Sequence, residues 1–214
     1  MTPIIVFDLD GTLVDSVPDL LASANRVMAA RGLLPFSRPD IVPMIGDGAG
    51  VLVKRLLAAR DQVAGPADFN DFLADYMAHA AIETQPYPDV PETLQRLLDA
   101  GWLLAVCTNK PAAPARAVLD ALDLTRFFTT IGGGDTYPVR KPDPAHLLNV
   151  IRDAGANPSA ALVVGDHHND LAAAAGAGIP SIFASWGYGS GAGATATAER
   201  FVDIPGLAGR LLPR

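Results

Sequence analysis

Two aspartates two positions apart, Asp8 and Asp10, end the apolar run Ile4-Ile5-Val6-Phe7 and are followed by Gly11. The run reads as a strand buried on both faces. Along an extended chain, i and i+2 side chains lie on one side, and Gly11 allows a sharp turn after them. At an effective dielectric of 20, two charges about 4 Å apart repel by roughly 4 kcal/mol. A pair placed this way needs something to offset it. Three other apolar-to-polar junctions carry candidate chemistry. Thr108, Asn109 and Lys110 follow the run 102–107; Lys141 precedes Pro142-Asp143-Pro144; Asp166 and Asp170 follow the run 161–165.

The elements that must position these residues fall into two patterns. From 15 to 84 every periodic segment is helical, with no strand candidate. Ser16 and Asp19 form a capping signature with Pro18 near the helix start, and Ser37 to Asp40 repeats it. Helical spacing then places Val51, Leu52, Arg55, Leu56 and Ala59 on one face, and Phe69, Phe72, Leu73, Tyr76 and Met77 on another. From 86 onward strands and helices alternate. Helices are expected at 91–100, 112–122, 144–151 and 171–177, and strands at 102–108, 127–131, 161–165 and 181–184. Residues 187–198, rich in Gly, Ala and Thr, read as a mobile loop. A short strand and a closing helix are expected at 201–212. The alternation predicts an α/β fold, a Rossmann-like parallel sheet with helices on both faces. The helical stretch is an insert after the first strand, giving a discontinuous core, 1–14 and 85–214, and a helical domain, 15–84.

In open parallel sheets, ligands bind beyond the carboxyl ends of the strands. Asp8, Asp10, Thr108, Asn109, Asp166 and Asp170 all fall at such ends. Converging carboxylates call for a cation, and few, oxygen-only ligands point to Mg²⁺ completed by water and a substrate phosphate. Zinc fits less well. The one His pair, His167-His168, is adjacent, so the rings are expected to diverge, and they read as exposed residues at a helix start. A carboxylate beside Mg²⁺ can attack phosphorus, and a second acid can protonate the leaving oxygen and then take a proton from water. Thr108 offers a hydroxyl, and the backbone N–H groups beside it, that of Asn109 included, can grip phosphoryl oxygens. The Lys141 charge can offset acids and phosphoryl group, or stand solvated in a loop. Other chemistries fail on spacing. Ala113 stands where a cysteine phosphatase needs Arg after Cys107, and no Gly-Lys-Ser/Thr follows the glycines at 132–134. Cys107 reads as a packing residue.

Composition narrows the class. Sixteen Lys and Arg against 23 Asp and Glu give a net charge of -7, which argues against nucleic acid or an anionic membrane as partner. The single cysteine fits a reducing compartment. No apolar run approaches the about 20 residues that span a bilayer, and no signal peptide is read at the start. A cytoplasmic protein, monomer or homodimer, is expected.

Four stretches, 8–16, 108–110, 141–144 and 165–170, resemble in order the four motifs of the haloacid-dehalogenase-like hydrolases, and the insert is similar to that family's C1-type cap. The resemblance implies Asp8 as nucleophile and Asp10 as acid/base. It implies Mg²⁺ held by Asp8, the Asp10 carbonyl and Asp166, with Asp170 as a supporting carboxylate and Thr108 and Lys141 on the phosphoryl group. Asp10 argues against the dehalogenase branch, which lacks an acid there. Stretches 44–49, 86–93 and 186–188 are similar to one phosphatase branch acting on a small anionic phosphate ester. Three positions depart from it. His167 replaces a small hydroxyl residue, Asp89 a common Gly, and Asp47 a frequent Asn; an acid at 47 suits an anionic substrate only if it points away. The substrate's anionic end should meet a cap cation, with Lys54 or Arg55 as candidates. A phosphosugar mutase of the same fold is the alternative, separated by inorganic phosphate release. A receiver-like module phosphorylated on Asp8 is a further one, opposed by Asp10 and by the insert.

Overall fold

The computed structural model describes residues 2–213; the outer limits of the expected core, positions 1 and 214, lie outside them. The first half of the chain runs β1 (Ile4–Phe7), β2 (Val14–Asp15), α1 (Val17–Ala30), α2 (Arg38–Ile41), α3 (Ala49–Ala58), α4 (Pro66–Ala78), β3 (Gln85–Pro86) and α5 (Val90–Asp99). The second half runs β4 (Leu103–Cys107), α6 (Ala112–Ala121), β5 (Thr130–Gly132), α7 (Pro144–Asp153) and β6 (Ala161–Gly165). It closes with α8 (His168–Gly176), β7 (Ser181–Ala184), β8 (Ala196–Ala198) and α9 (Ile204–Leu211).

Six strands form one parallel sheet in the order β5-β4-β1-β6-β7-β8. β1 lies at its centre, paired to β4 from Ile4 opposite Leu103 and to β6 from Ile4 opposite Ala161. All four of its side chains are fully buried. Their alternation divides them between two cores. Ile5 and Phe7 pack with Leu94, Leu97 and Val118 of α5 and α6, while Ile4 and Val6 pack with Leu147, Val150 and Ile151 of α7. Burying each such side chain contributes about 1.5–3 kcal/mol, so the strand that carries Asp8 is anchored from both faces. α5 shows how the helices attach: Val90, Leu94 and Leu97 recur at helical spacing and are fully buried, and Gly101, at φ 81°, turns the chain into β4.

Helices α1 to α4 lie between β2 and β3. These two-residue strands pair antiparallel, Val14 opposite Pro86 and Asp15 opposite Gln85, so the chain leaves the sheet and returns to it side by side. The sequence reading missed this ribbon, because two residues carry no periodic signal. It also placed Asp15 within the helical stretch. Among the described residues, no strand lies between β2 and β3.

Three other expectations are corrected. The strand expected at 127–131 starts only at Thr130, after a 3-10 turn over Thr125–Phe127. The strand expected within 201–212 is a 3-10 turn, Phe201–Asp203. The edge strand is β8, inside the stretch read as a mobile loop, where Ile182 pairs with Ala196. No helix among the described residues is long and apolar enough to cross a membrane.

Candidate active site

The carboxyl ends of β1, β4 and β6 open on one crevice. Asp8 continues β1, donating its N–H to the Val164 carbonyl at 2.9 Å, and its side chain is buried. Leu9 turns into the core, and Asp10 returns to the crevice side, as period two requires. Gly11, at φ 84°, makes the turn beyond. A Cβ there would stand 2.3 Å from Asp166 Oδ2, so only glycine fits. Thr12 Oγ1 donates to Asp166 Oδ1 at 2.9 Å, closing the loop onto the end of β6.

Two carboxylate environments result. Asp8, Asp166 and Asp170 each offer an oxygen within 4.8 Å of the others. Lys141 serves this cluster: its Nζ donates to Asp170 Oδ1 and to the Cys107 carbonyl, both at 2.5 Å. It also forms an ion pair with Asp8 Oδ1 at 2.9 Å. Burial, then the Asp170 charge, pushes the Asp8 carboxyl up to about 6, with Lys141 opposing. Burial and then Asp8 and Asp170 push Asp166 up to about 8. Burial alone would favour neutral Lys141, but Asp170 and Asp8 hold it charged.

Asp10 stands apart. It accepts from Ser16 Oγ at 2.6 Å and from Lys110 Nζ at 3.1 and 3.3 Å. Ser16 therefore does not cap α1, and Asp19 accepts instead from the Glu83 and Thr84 backbone and the Thr84 hydroxyl. The capping signature there was real in spacing, but tertiary partners took both side chains. At Ser37 the capping box does form with Asp40.

The crevice brings together Asp8, Asp10, Thr108, Lys141, Asp166 and Asp170. Thr108 sits at the end of β4 with its hydroxyl accepting from Lys110 N at 3.2 Å. The Asn109 side chain is spent elsewhere: its Nδ2 donates to the Gly46 and Lys141 carbonyls at 3.0 and 2.9 Å. Neither cation expected from the insert reaches the crevice. Arg55 pairs with Asp47 at 2.6 Å and donates to the Met44 carbonyl, and Lys54 lines a neighbouring cleft with Arg140.

The three departures find their reasons. Asp47 points away, accepting from Asn169 Nδ2 at 2.7 Å; burial pushes its carboxyl up, but Asn169 and Arg55 hold it below its usual range. Asp89 adopts φ 65° ahead of α5, the left-handed region where Gly is common. His167 caps α8 with its ring nitrogen and lies against His168, centroids 4.1 Å apart and planes tilted by 44°; the rings do not diverge. Burial pushes the Cys107 thiol up to about 12, which suits a packing role.

Sequence reasoning assigned no role to Lys110, Tyr76 or Tyr188. Lys110 and Tyr188 lie inside quoted stretches, so their positions were marked but their partners were not. Tyr188 N–H donates to Asp166 Oδ2 at 2.8 Å, and Gly187 and Gly189 pack against the Asp166 side chain and carbonyl. The glycine-rich stretch is thus part of the site wall at its start.

Buried carboxylates outnumbering their one lysine and an all-oxygen donor set together suit a hard divalent cation.

A parallel sheet, an aspartate pair after its central strand and acids after β6 define a hydrolase class, and the comparisons agree. The haloacid dehalogenase-like hydrolase family matches residues 5–184, and the chain belongs to it. Several similar proteins within it carry the name phosphoglycolate phosphatase. The one from Agrobacterium fabrum is 43% identical over 192 residues, 88% of this chain and 82% of that protein. The one from Caulobacter vibrioides is 39% identical over 209 residues, 94% and 88% of the two chains. A crystal structure of a predicted phosphoglycolate phosphatase from Haemophilus somnus superposes with a TM-score of 0.88 at 31% identity, covering 96% of this chain and 97% of that one. CbbY from Rhodobacter sphaeroides, solved with phosphate, gives 0.83 at 26% identity, covering 95% and 96%.

Proposed function

We propose that the protein is a Mg²⁺-dependent phosphomonoesterase working through an aspartyl-phosphate on Asp8, and that it converts 2-phosphoglycolate to glycolate and phosphate. The observation that carries this is the division of labour between the two aspartates. Asp8 lies in the carboxylate cluster with Lys141, whereas Asp10 lies outside it, held by Ser16 and Lys110. Different surroundings for two neighbouring acids suit different roles.

An Asp8 oxygen attacks phosphorus as the ester P–O bond breaks, and Asp10 gives its proton to the departing alcohol oxygen. Asp10 then takes a proton from water as that water attacks the acyl phosphate, releasing phosphate and restoring Asp8. Thr108 and Lys141 hold the phosphoryl oxygens, and the Lys141 charge offsets the negative charge spread over them. Asp8, the Asp10 carbonyl and Asp166 would hold Mg²⁺, with Asp170 fixing Lys141. When bound, the ion supplies charge neutralisation for the carboxylates and the phosphoryl group. Residues 15–84 act as a cap hinged at the β2–β3 ribbon, closing over the crevice to exclude water.

The test is phosphate release from 2-phosphoglycolate, sugar phosphates and nucleotides, with and without Mg²⁺. Strong, Mg²⁺-dependent preference for phosphoglycolate is expected. Isomerised sugar phosphate without phosphate release would replace this reading with the mutase.

A further inference from the structure

The pocket over Asp10 has an uneven lining. Leu20, Ile45, Leu52, Phe72 and Leu73 give its outer wall no polar side chain, and Tyr76 completes that wall. Tyr76 is 2% exposed, and its hydroxyl, beside the Lys110 ammonium, finds no acceptor for its own hydrogen. Burial pushes its pKa up, so it remains a donor. Leaving such a group unpaired costs about 1–3 kcal/mol, and an orphan of this kind in a pocket calls for a ligand. Lys110, 6% exposed, stands beside it with Nζ 4.4 Å from the Tyr76 ring centroid. An ammonium has three hydrogens to give, and among the described residues the only carboxylate bound to Nζ is that of Asp10.

A hydroxyl donor and a buried cation, side by side on an otherwise apolar wall, select an anionic oxygen pair. Lys110 rests on Asp10, the group that serves the leaving oxygen, so the anion must lie within a bond or two of that oxygen. We propose that Tyr76 and Lys110 form the receptor for a carboxylate carried on the carbon next to the ester, and so are specificity-determining residues. This rests on the phosphatase reading above. It takes the place of the Lys54 or Arg55 contact expected from the sequence.

Wild-type and Tyr76→Phe proteins are compared on 2-phosphoglycolate and on ethyl phosphate, in which a methyl group replaces the carboxylate. The ratio of the two kcat/KM values is expected to fall about tenfold or more in Tyr76→Phe, mainly through the KM for phosphoglycolate, and further in Lys110→Met. An unchanged ratio, whether both rates fall or neither does, overturns the proposal. Calorimetry on the Mg²⁺-loaded Asp8→Asn protein supplies a second readout. It should bind phosphoglycolate more tightly than ethyl phosphate, and adding Tyr76→Phe should remove the difference. If wild type cleaves ethyl phosphate with no preference for its carboxylated analogue, the receptor fails while the phosphatase reading stands. If it cleaves neither ester, that reading fails, and the binding preference alone decides the receptor.

Discussion

Tyr188 joins Asp166 to the β2–β3 ribbon. Its N–H donates to Asp166 Oδ2 at 2.8 Å, while its hydroxyl accepts from Ser16 N at 2.9 Å and donates to Asp15 Oδ1 at 2.8 Å. One residue thus ties the carboxylate cluster to the ribbon from which the helical segment hangs. Tyr188→Phe keeps the backbone contact and strips the hydroxyl from two partners. The expected loss is about 1–3 kcal/mol of unfolding free energy in urea, with little change in Mg²⁺ affinity. Unaltered stability would mean that this hydroxyl does not brace the ribbon.

Asp8→Asn should cut phosphate release at least about a thousandfold, as loss of a covalent nucleophile does. The fold should survive. Asn has the same shape, and the change deletes a charge that burial and Asp170 already disfavour. Melting without Mg²⁺ should therefore occur at or above the wild-type temperature. In the wild type, saturating Mg²⁺ at about 100 times its dissociation constant should add about 2.7 kcal/mol, reversed by a chelator, and Asp8→Asn should show a smaller gain. Turnover retained in the variant would discard the mechanism.

What the sequence disclosed and what it withheld follow from range. Asp8, Thr108 and Asp166 were legible because each directly follows a buried strand, and the ends of parallel strands share one edge of the sheet, with Asp170 in the first turn of the helix after β6. The partners of Lys110 and Tyr76 were not, since one comes from the core and the other from α4, and nothing local reports their approach. β8 stayed hidden for another reason. Ala196, Thr197 and Ala198 are strand residues through their register with β7, not through their own preference. Ser16 and Asp19 misled because a capping spacing says which bonds are available, not which are made.

His146 makes acid stability a test of the Lys141 loop. It is fully buried, its Nδ1 accepting from Lys141 N at 3.2 Å and its Nε2 3.1 Å from the Gly133 carbonyl. Burial, and then the Lys141 charge, pushes the imidazole from 6.5 down to about 4. The unfolded chain therefore takes up this proton first as pH falls. Stability from this group is complete above pH 6.5 and drains away between there and pH 4, by up to about 3 kcal/mol. His146→Gln has nothing to titrate there. Urea curves across the window should show the wild type losing ground to the variant by that amount, and a constant gap would exclude the buried neutral ring.

Gly187 tests how closely the site wall must approach Asp166. A Cβ at 187 would fall 2.2 Å from Asp166 Cβ and 2.5 Å from the Gly11 carbonyl, neither of which is the free end of a flexible chain. Gly187→Ala must therefore move Asp166, the Gly11 turn, or both, and with them the Thr12 and Tyr188 bonds that aim the carboxylate. Disturbing the groups that orient a metal ligand typically weakens metal binding 10–100-fold, so a loss of at least about tenfold in Mg²⁺ affinity is expected, read from Mg²⁺ titrations of melting temperature and of turnover. Gly209 is the control. It lies within α9 with nothing within 4 Å of the added Cβ, and Gly209→Ala should raise stability by up to about 1 kcal/mol through helix propensity, leaving the Mg²⁺ titration where it was. Equal Mg²⁺ affinities in Gly187→Ala and wild type would mean that the wall does not set the position of Asp166.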